Sequence, residues 1–173
     1  MKKFELTTNT KMFLGKKLFQ IKALISFGDV KAGELGGYIE KEENLSQTGD
    51  AWVFDNAWVS GDARVSGNAR VFDNAWVSDN ARVSDNARVS GDAWVSDNAC
   101  YTTIKGFGRE YRTTTFFRCK DGKVRVQCGC FYGDLKEFRA IVKKTHGESK
   151  KAKEYLMIAD LMELHFEENE NDK

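Results

Sequence analysis

From Gly49 to Thr102 the chain repeats every six residues: GDAWVF, DNAWVS, GDARVS, GNARVF, DNAWVS, DNARVS, DNARVS, GDAWVS, DNACYT. A unit this short cannot bury a face by itself, so the stretch has to stack repeat on repeat and build a continuous core along a rod. Valine recurs at 53, 59, 65, 71, 77, 83, 89 and 95, and alanine at every sixth position from 51 to 99. These are the two inward positions. The Asx or Gly pair before each alanine adopts turn and left-handed conformations at little cost, so each hexad is a short strand followed by a corner. Turn chemistry accounts for Asp55, Asp62, Asp73, Asp79, Asp85, Asp92 and Asp97, which are not read as calcium ligands or as a mimic of DNA phosphates. Proline is absent from the chain, as suits uninterrupted ladders.

This pattern resembles the left-handed parallel β-helix of hexapeptide repeats, in which three hexads close a triangular coil. The resemblance implies a mainly β fold with about three to four coils, here over residues 33–102. GGYIEKEENLS reads as a degenerate first coil, with Ile39 and Leu45 in the frame of Ala51. Winding at 18 residues per coil sorts the outward position before each valine into three rows. The first stacks Trp52, Arg70 and Arg88, with Phe54 and Phe72 beside it. The second stacks Trp58, Trp76 and Trp94, and the third Arg64, Arg82 and Cys100.

Adjacent rungs lie about 4.8 Å apart, so the second row is a continuous aromatic strip. Three tryptophans in one row exceed what a monomer normally leaves in water, which makes Trp58, Trp76 and Trp94, flanked by Trp52, Phe54 and Phe72, the expected subunit interface. Resemblance to hexapeptide β-helices favours a trimer. Arg64, Arg82, Arg70 and Arg88 are the candidate anion ligands on the rod.

Residues 1–32 form an expected N-terminal β cap, a hairpin around Gly15 that offers Phe13, Leu18, Phe19, Ile21 and Leu24 for burial and plugs the open first coil. Residues 103–173 form a C-terminal α+β cap. Asp121-Gly122 predicts a two-residue turn that pairs Lys120 with Lys123, setting Arg118 opposite Arg125 on a basic face and Cys119, Cys128 and Cys130 on an apolar one. Two arginines in that position cost stability unless an anion or carboxylates offset them; the face reads first as solvated, with an anion site on Arg118 and Arg125 as the alternative. The Cys-x-Cys pair lacks a second ligand pair at zinc spacing, so no metal is expected, and no cofactor. Asp134 caps a helix with Leu135, Phe138, Ile141 and Val142 as its stripe, and Ser149 caps a second helix. That helix is apolar on more than one side, so Tyr155 and Met162 join the interface candidates. The tail EENENDK reads as a solvated acidic end.

The 27 basic and 26 acidic residues nearly cancel, which argues against DNA or an anionic membrane as partner. No segment approaches the roughly 20 apolar residues of a membrane span or resembles a signal peptide, and cytoplasmic residence is expected, with free thiols. The combination of GELGGYIEKEENLS, the hexads and TTTFFRCKDGKVRVQCGCFYGDLKEF is similar to a family of small bacteriophage- and prophage-encoded proteins labelled hexapeptide-repeat or polymer-forming.

Hexapeptide acyltransferases use a histidine base, and residues 33–102 contain none. The expectation is therefore a non-enzymatic binding protein acting in the infected bacterial host. Its target would be a nucleotide second messenger or a host defence protein, held as counter-defence. The alternatives are a self-assembling structural protein and an acyltransferase.

Overall fold

A computed structural model describes residues 1–167; the expected acidic tail lies almost wholly outside them. The chain divides into two units, Met1–Asn98 and Ala99–Lys173. The first is a β-solenoid of about three coils. Its rungs are two-residue strands, β4 (Trp52–Val53) to β11 (Trp94–Val95), one per hexad. They stack in parallel at 18-residue intervals into three faces: Trp52↔Arg70↔Arg88, Trp58↔Trp76↔Trp94 and Arg64↔Arg82. Every valine of the repeat, and every alanine from Ala51 to Ala93, is fully buried. The core is two columns of small apolar side chains per face.

The corners follow from backbone sterics. The first residue of each Asx/Gly pair, from Gly49 through Asp55, Gly61, Gly67, Asp73, Asp79 and Asp85 to Gly91, has positive φ. Glycine and aspartate are among the residues that occupy this region most readily. At Gly67 (φ 67°) a Cβ would also come within 2.9 Å of the Asp85 amide nitrogen on the next coil.

The first coil is longer than the hexad frame predicts. Ile39 aligns with Val59 and Leu45 with Val65, offsets of 20 residues, so they extend the valine columns and not the alanine columns. The extra residues fall between Leu45 and Val53, where Gln47 is put to use: its side-chain oxygen accepts from the amides of Lys3 and Phe4.

The N-terminal hairpin covers the open edge of the first coil by pairing along it. β1 (Phe4–Phe13) and β2 (Lys16–Ala23) meet at Leu14-Gly15, both with positive φ, and β2 pairs antiparallel with β3 (Leu35–Ile39). The second face thus continues as a six-stranded sheet, β1-β2-β3-β5-β8-β11. Leu18 and Ile21 are buried, Phe13 and Phe19 half-buried, and Leu24 is exposed rather than in the core.

Three side chains close the open ladders. The Lys3 ammonium donates to the carbonyls of Gly49 and Ala51 (3.3 and 2.9 Å). The Asn44 amide donates to the carbonyls of Gly61 and Ala63 (3.1 and 2.8 Å). At the last coil the Asn98 side-chain oxygen accepts the Arg82 amide at 2.9 Å, where the neighbouring rungs use a backbone carbonyl. Edges that would otherwise recruit another strand are thereby satisfied.

The repeat stops there. Tyr101 and Thr102 belong to β12 (Tyr101–Phe107), which opens the four-stranded antiparallel sheet of the second unit, followed in order by β13 (Arg112–Arg118), β14 (Val124–Cys128) and β15 (Phe131–Asp134), so Cys100 is not a third rung above Arg82. Helices α1 (Leu135–His146) and α2 (Lys150–Phe166) pack on this sheet through Phe116, Val126, Phe138, Val142, Ile158 and Met162. Asp134 and Glu137 form a reciprocal capping box on α1, each bond 2.8 Å. Ser149 accepts from Ala152 at the start of α2.

Candidate functional site

The three outward rows differ in what remains available. Row one is largely covered. Trp52 is completely buried, with Phe4 and Phe27 edge-on at 6.2 and 5.4 Å between ring centroids, so it is not an interface residue. The residues that cover it come from the N-terminal segment, whose placement no periodicity reveals. Arg70 is held by Asp29 at 2.5 Å and lies over Phe54; Phe54, Phe72 and Arg88 are half-buried beside it.

Row two is the expected aromatic stack, with Trp58, Trp76 and Trp94 at 6.0 and 5.3 Å. The chain covers part of it by itself: Phe13, at the tip of β1, packs edge-on against both Trp58 and Trp76. Trp94 remains 43% exposed and is the open end of the strip.

Row three is the exposed charged row. Arg64 and Arg82 pair in register on adjacent coils, and both are exposed. They border a hollow of about 350 Å³ with Lys41, Glu43, Asp62 and Asn80. Lys41 binds Asp62 at 2.8 Å. That hydrogen bond raises the lysine pKa and holds the Asp62 carboxyl below its ordinary value, so the two charges cancel locally. Among the residues that line the hollow, the two guanidiniums, one rung apart, outnumber the remaining acid, Glu43. Like charges directly opposite each other on a sheet repel unless an anion bridges them.

The basic face expected on the second unit does not form. β13 (Arg112–Arg118) and β14 (Val124–Cys128) pair one residue out of the predicted register, with Phe117 opposite Arg125 and Arg118 opposite Val124. The turn is longer by one residue. Gly122, at φ 75°, donates to the Cys119 carbonyl, and Cys119 donates to the Lys123 carbonyl. The slip puts Arg118 and Arg125 on opposite faces. Arg118 donates to the Phe166 carbonyl at the end of α2 (2.5 Å), and Arg125 binds Asp121 (2.7 Å), so neither is an open anion ligand. The Lys123 amide and then Arg125 hold the Asp121 carboxyl below its usual value. The slip also separates Cys119 from the face that carries Cys128.

Tyr155 and Met162 point into the helix–sheet core (7% and 4% exposed) and are not interface residues. The exposed apolar side chains of α2 are Met157, Leu161 and Leu164.

Comparison with known proteins places the repeat. Residues 63–79 and 81–97 match the family described as YdcK beta solenoid repeat. A 55-residue stretch, 31% of this chain, is 44% identical to a protein of Escherichia coli (strain K12) described as uncharacterized acetyltransferase YdcK, of which it covers 17%. The family match falls within the repeat. With the three stacked coils it makes this chain a β-solenoid repeat protein.

Proposed function

We propose that the chain is a binding protein without chemistry of its own, which holds a nucleotide-like anion on the third face of its solenoid. The observation that carries this reading is the in-register pair Arg64 and Arg82 over the polar hollow. Phosphate oxygens satisfy the guanidiniums of such a pair in parallel, and the flat ladder accommodates ligands of different length along the rod. In a phage-infected bacterium the ligand would be a nucleotide defence signal, and sequestering it would be counter-defence in the host cytoplasm. A host defence protein with an acidic surface is the larger target for the same row.

The test is thermal unfolding, followed by tryptophan fluorescence, with a panel of cyclic dinucleotides, nucleotide–ribose signals and acetyl-coenzyme A. Ligand at 100 times its dissociation constant stabilises by about 2.7 kcal/mol, and Arg64→Ala with Arg82→Ala abolishes the gain. No stabilisation by any member would end the nucleotide reading. Stabilisation by acetyl-coenzyme A together with its turnover would replace it by the acetyltransferase reading, which the matched relative's description favours.

Self-association, a trimer above all, belongs to the same proposal and would use the open end of the tryptophan strip. Replacing Trp94 by Ser is expected to reduce the mass in solution from a multiple of the 19.6 kDa chain to one chain. An unchanged mass would exclude Trp94 from the contact.

A further inference from the structure

The second unit contains a cavity of about 280 Å³ where α1 faces the turn between β14 and β15 (Phe131–Asp134). Phe131, Phe138, Ile141 and Val142 supply its walls, and Ile141 and Phe131 leave part of that apolar surface open to water. The local geometry holds it open. Gly129, at φ 61°, begins the two-residue turn from Cys128 to Phe131. The Arg112 guanidinium packs over that glycine, 2.6 Å from where a Cβ would stand, so the charge sits among the lining groups without a side chain of the turn displacing it.

On the inner side the Tyr155 hydroxyl is tied to the Phe107 carbonyl at 3.2 Å. Burial, with Cys128 adding to it, pushes the phenol up to about 12, so the hydroxyl itself is neutral at any physiological pH, and the His146 ring stacks on the Tyr155 ring at 6.0 Å between centroids. At the rim Arg109 and Glu110 lie 3.7 Å apart and offset each other, which leaves the positive charge of Arg112 in excess.

We infer that this cavity binds a small amphipathic monoanion, with an aliphatic or aromatic body against Phe131, Phe138, Ile141 and Val142 and a carboxylate or sulfonate head on Arg112. The volume corresponds to roughly nine waters at about 30 Å³ each, which limits the ligand to about ten non-hydrogen atoms. An apolar chamber with basic groups at one side, Arg112 and the His146 ring, selects by shape for the body and by charge for the head. The site shares no residue with the Arg64–Arg82 row and stands or falls separately from it.

Octanoate and its neutral counterpart octanol are the probes, titrated calorimetrically into the full chain. Octanoate is expected to bind at least tenfold more tightly than octanol. Arg112→Ala should bring octanoate down to the level of octanol. Thr145, exposed at the rim, gives a blocking variant outside the core: Thr145→Trp should remove binding of both probes while the circular dichroism spectrum stays that of the parent. Bound octanoate should also slow alkylation of Cys130 by iodoacetamide, read on its peptide by mass spectrometry, because that exposed thiol lines the same cavity. Absence of saturable binding, equal affinity for the two probes, or an alkylation rate at Cys130 that ignores octanoate would each overturn the assignment. The Arg64→Ala, Arg82→Ala protein is expected to bind octanoate normally.

Discussion

Asn44→Leu is expected to lower the stability of the solenoid unit by roughly 3 to 5 kcal/mol, although leucine has the branching and the heavy-atom count of asparagine and the site is fully buried. Asn44 ends the ladders of the third face. Its side-chain oxygen accepts the Lys41 amide at 2.9 Å, and its amide group donates to the carbonyls of Gly61 and Ala63. Leucine leaves all three backbone groups without partners, and each unsatisfied buried group costs about 1 to 3 kcal/mol. Asn44→Asp keeps the acceptor for Lys41 but turns a carboxylate oxygen toward two carbonyls, so it should be at least as damaging at pH 7 and should recover partly once acid restores a donor. Urea unfolding read by tryptophan emission isolates the effect, because all four tryptophans lie in the first unit. A leucine variant with the parent's midpoint would show that the ladder ends need no side-chain cap.

Much of the solenoid was legible in the sequence because its geometry is periodic. The Val and Ala columns, the 18-residue coil and the left-handed corners each repeat one local rule, and the structure repeats it with them. The Asp134 and Ser149 caps were legible for the same reason, since capping depends on neighbours within three residues. Legibility ended where one residue of length or one distant segment decides the outcome. The turn after Cys119 reads as two residues and forms with three, and that single difference moves Arg118 away from Arg125 and dissolves a candidate anion site. Trp52 sits at the same repeat position as Trp94, yet Phe4 and Phe27, from a non-repetitive segment, bury one and leave the other in water. The Arg112 cavity is built from a strand, a turn and two helices, and a sequence pattern carries no signal for the space between them. Lys3 carried none either, because a lysine third from the start of the chain reads as solvated.

Lys3 makes the stability of the solenoid unit depend on alkaline pH in an unusual sense. Its side chain is 2% exposed, and burial lowers its pKa from 10.5 to about 8, against the opposing pull of Asp50. The nearby groups are the carbonyls of Gly49 and Ala51, the Phe27 ring at 4.9 Å and the Asp50 carboxylate. Between about pH 8 and 10.5 the unfolded chain therefore binds the proton that the folded chain has lost. Stability rises with pH wherever the unfolded state binds more protons. This contribution is absent below about 8, grows through the window and is complete above 10.5, with a size of roughly 3 kcal/mol. The neutral amine still donates to both carbonyls, so the cap survives deprotonation. Lys3→Met removes both the titration and the donors. Its destabilisation relative to the parent should be smallest near pH 7, where loss of the hydrogen bonds is offset by loss of a buried charge, and should widen by roughly 3 kcal/mol by pH 10.5. Urea midpoints of the two proteins at half-unit steps from pH 7 to 10.5 measure that divergence directly, because tyrosines and other lysines titrate alike in both. Parallel curves would mean that Lys3 keeps an ordinary lysine pKa and that its ammonium is hydrated when it reaches the Ala51 carbonyl.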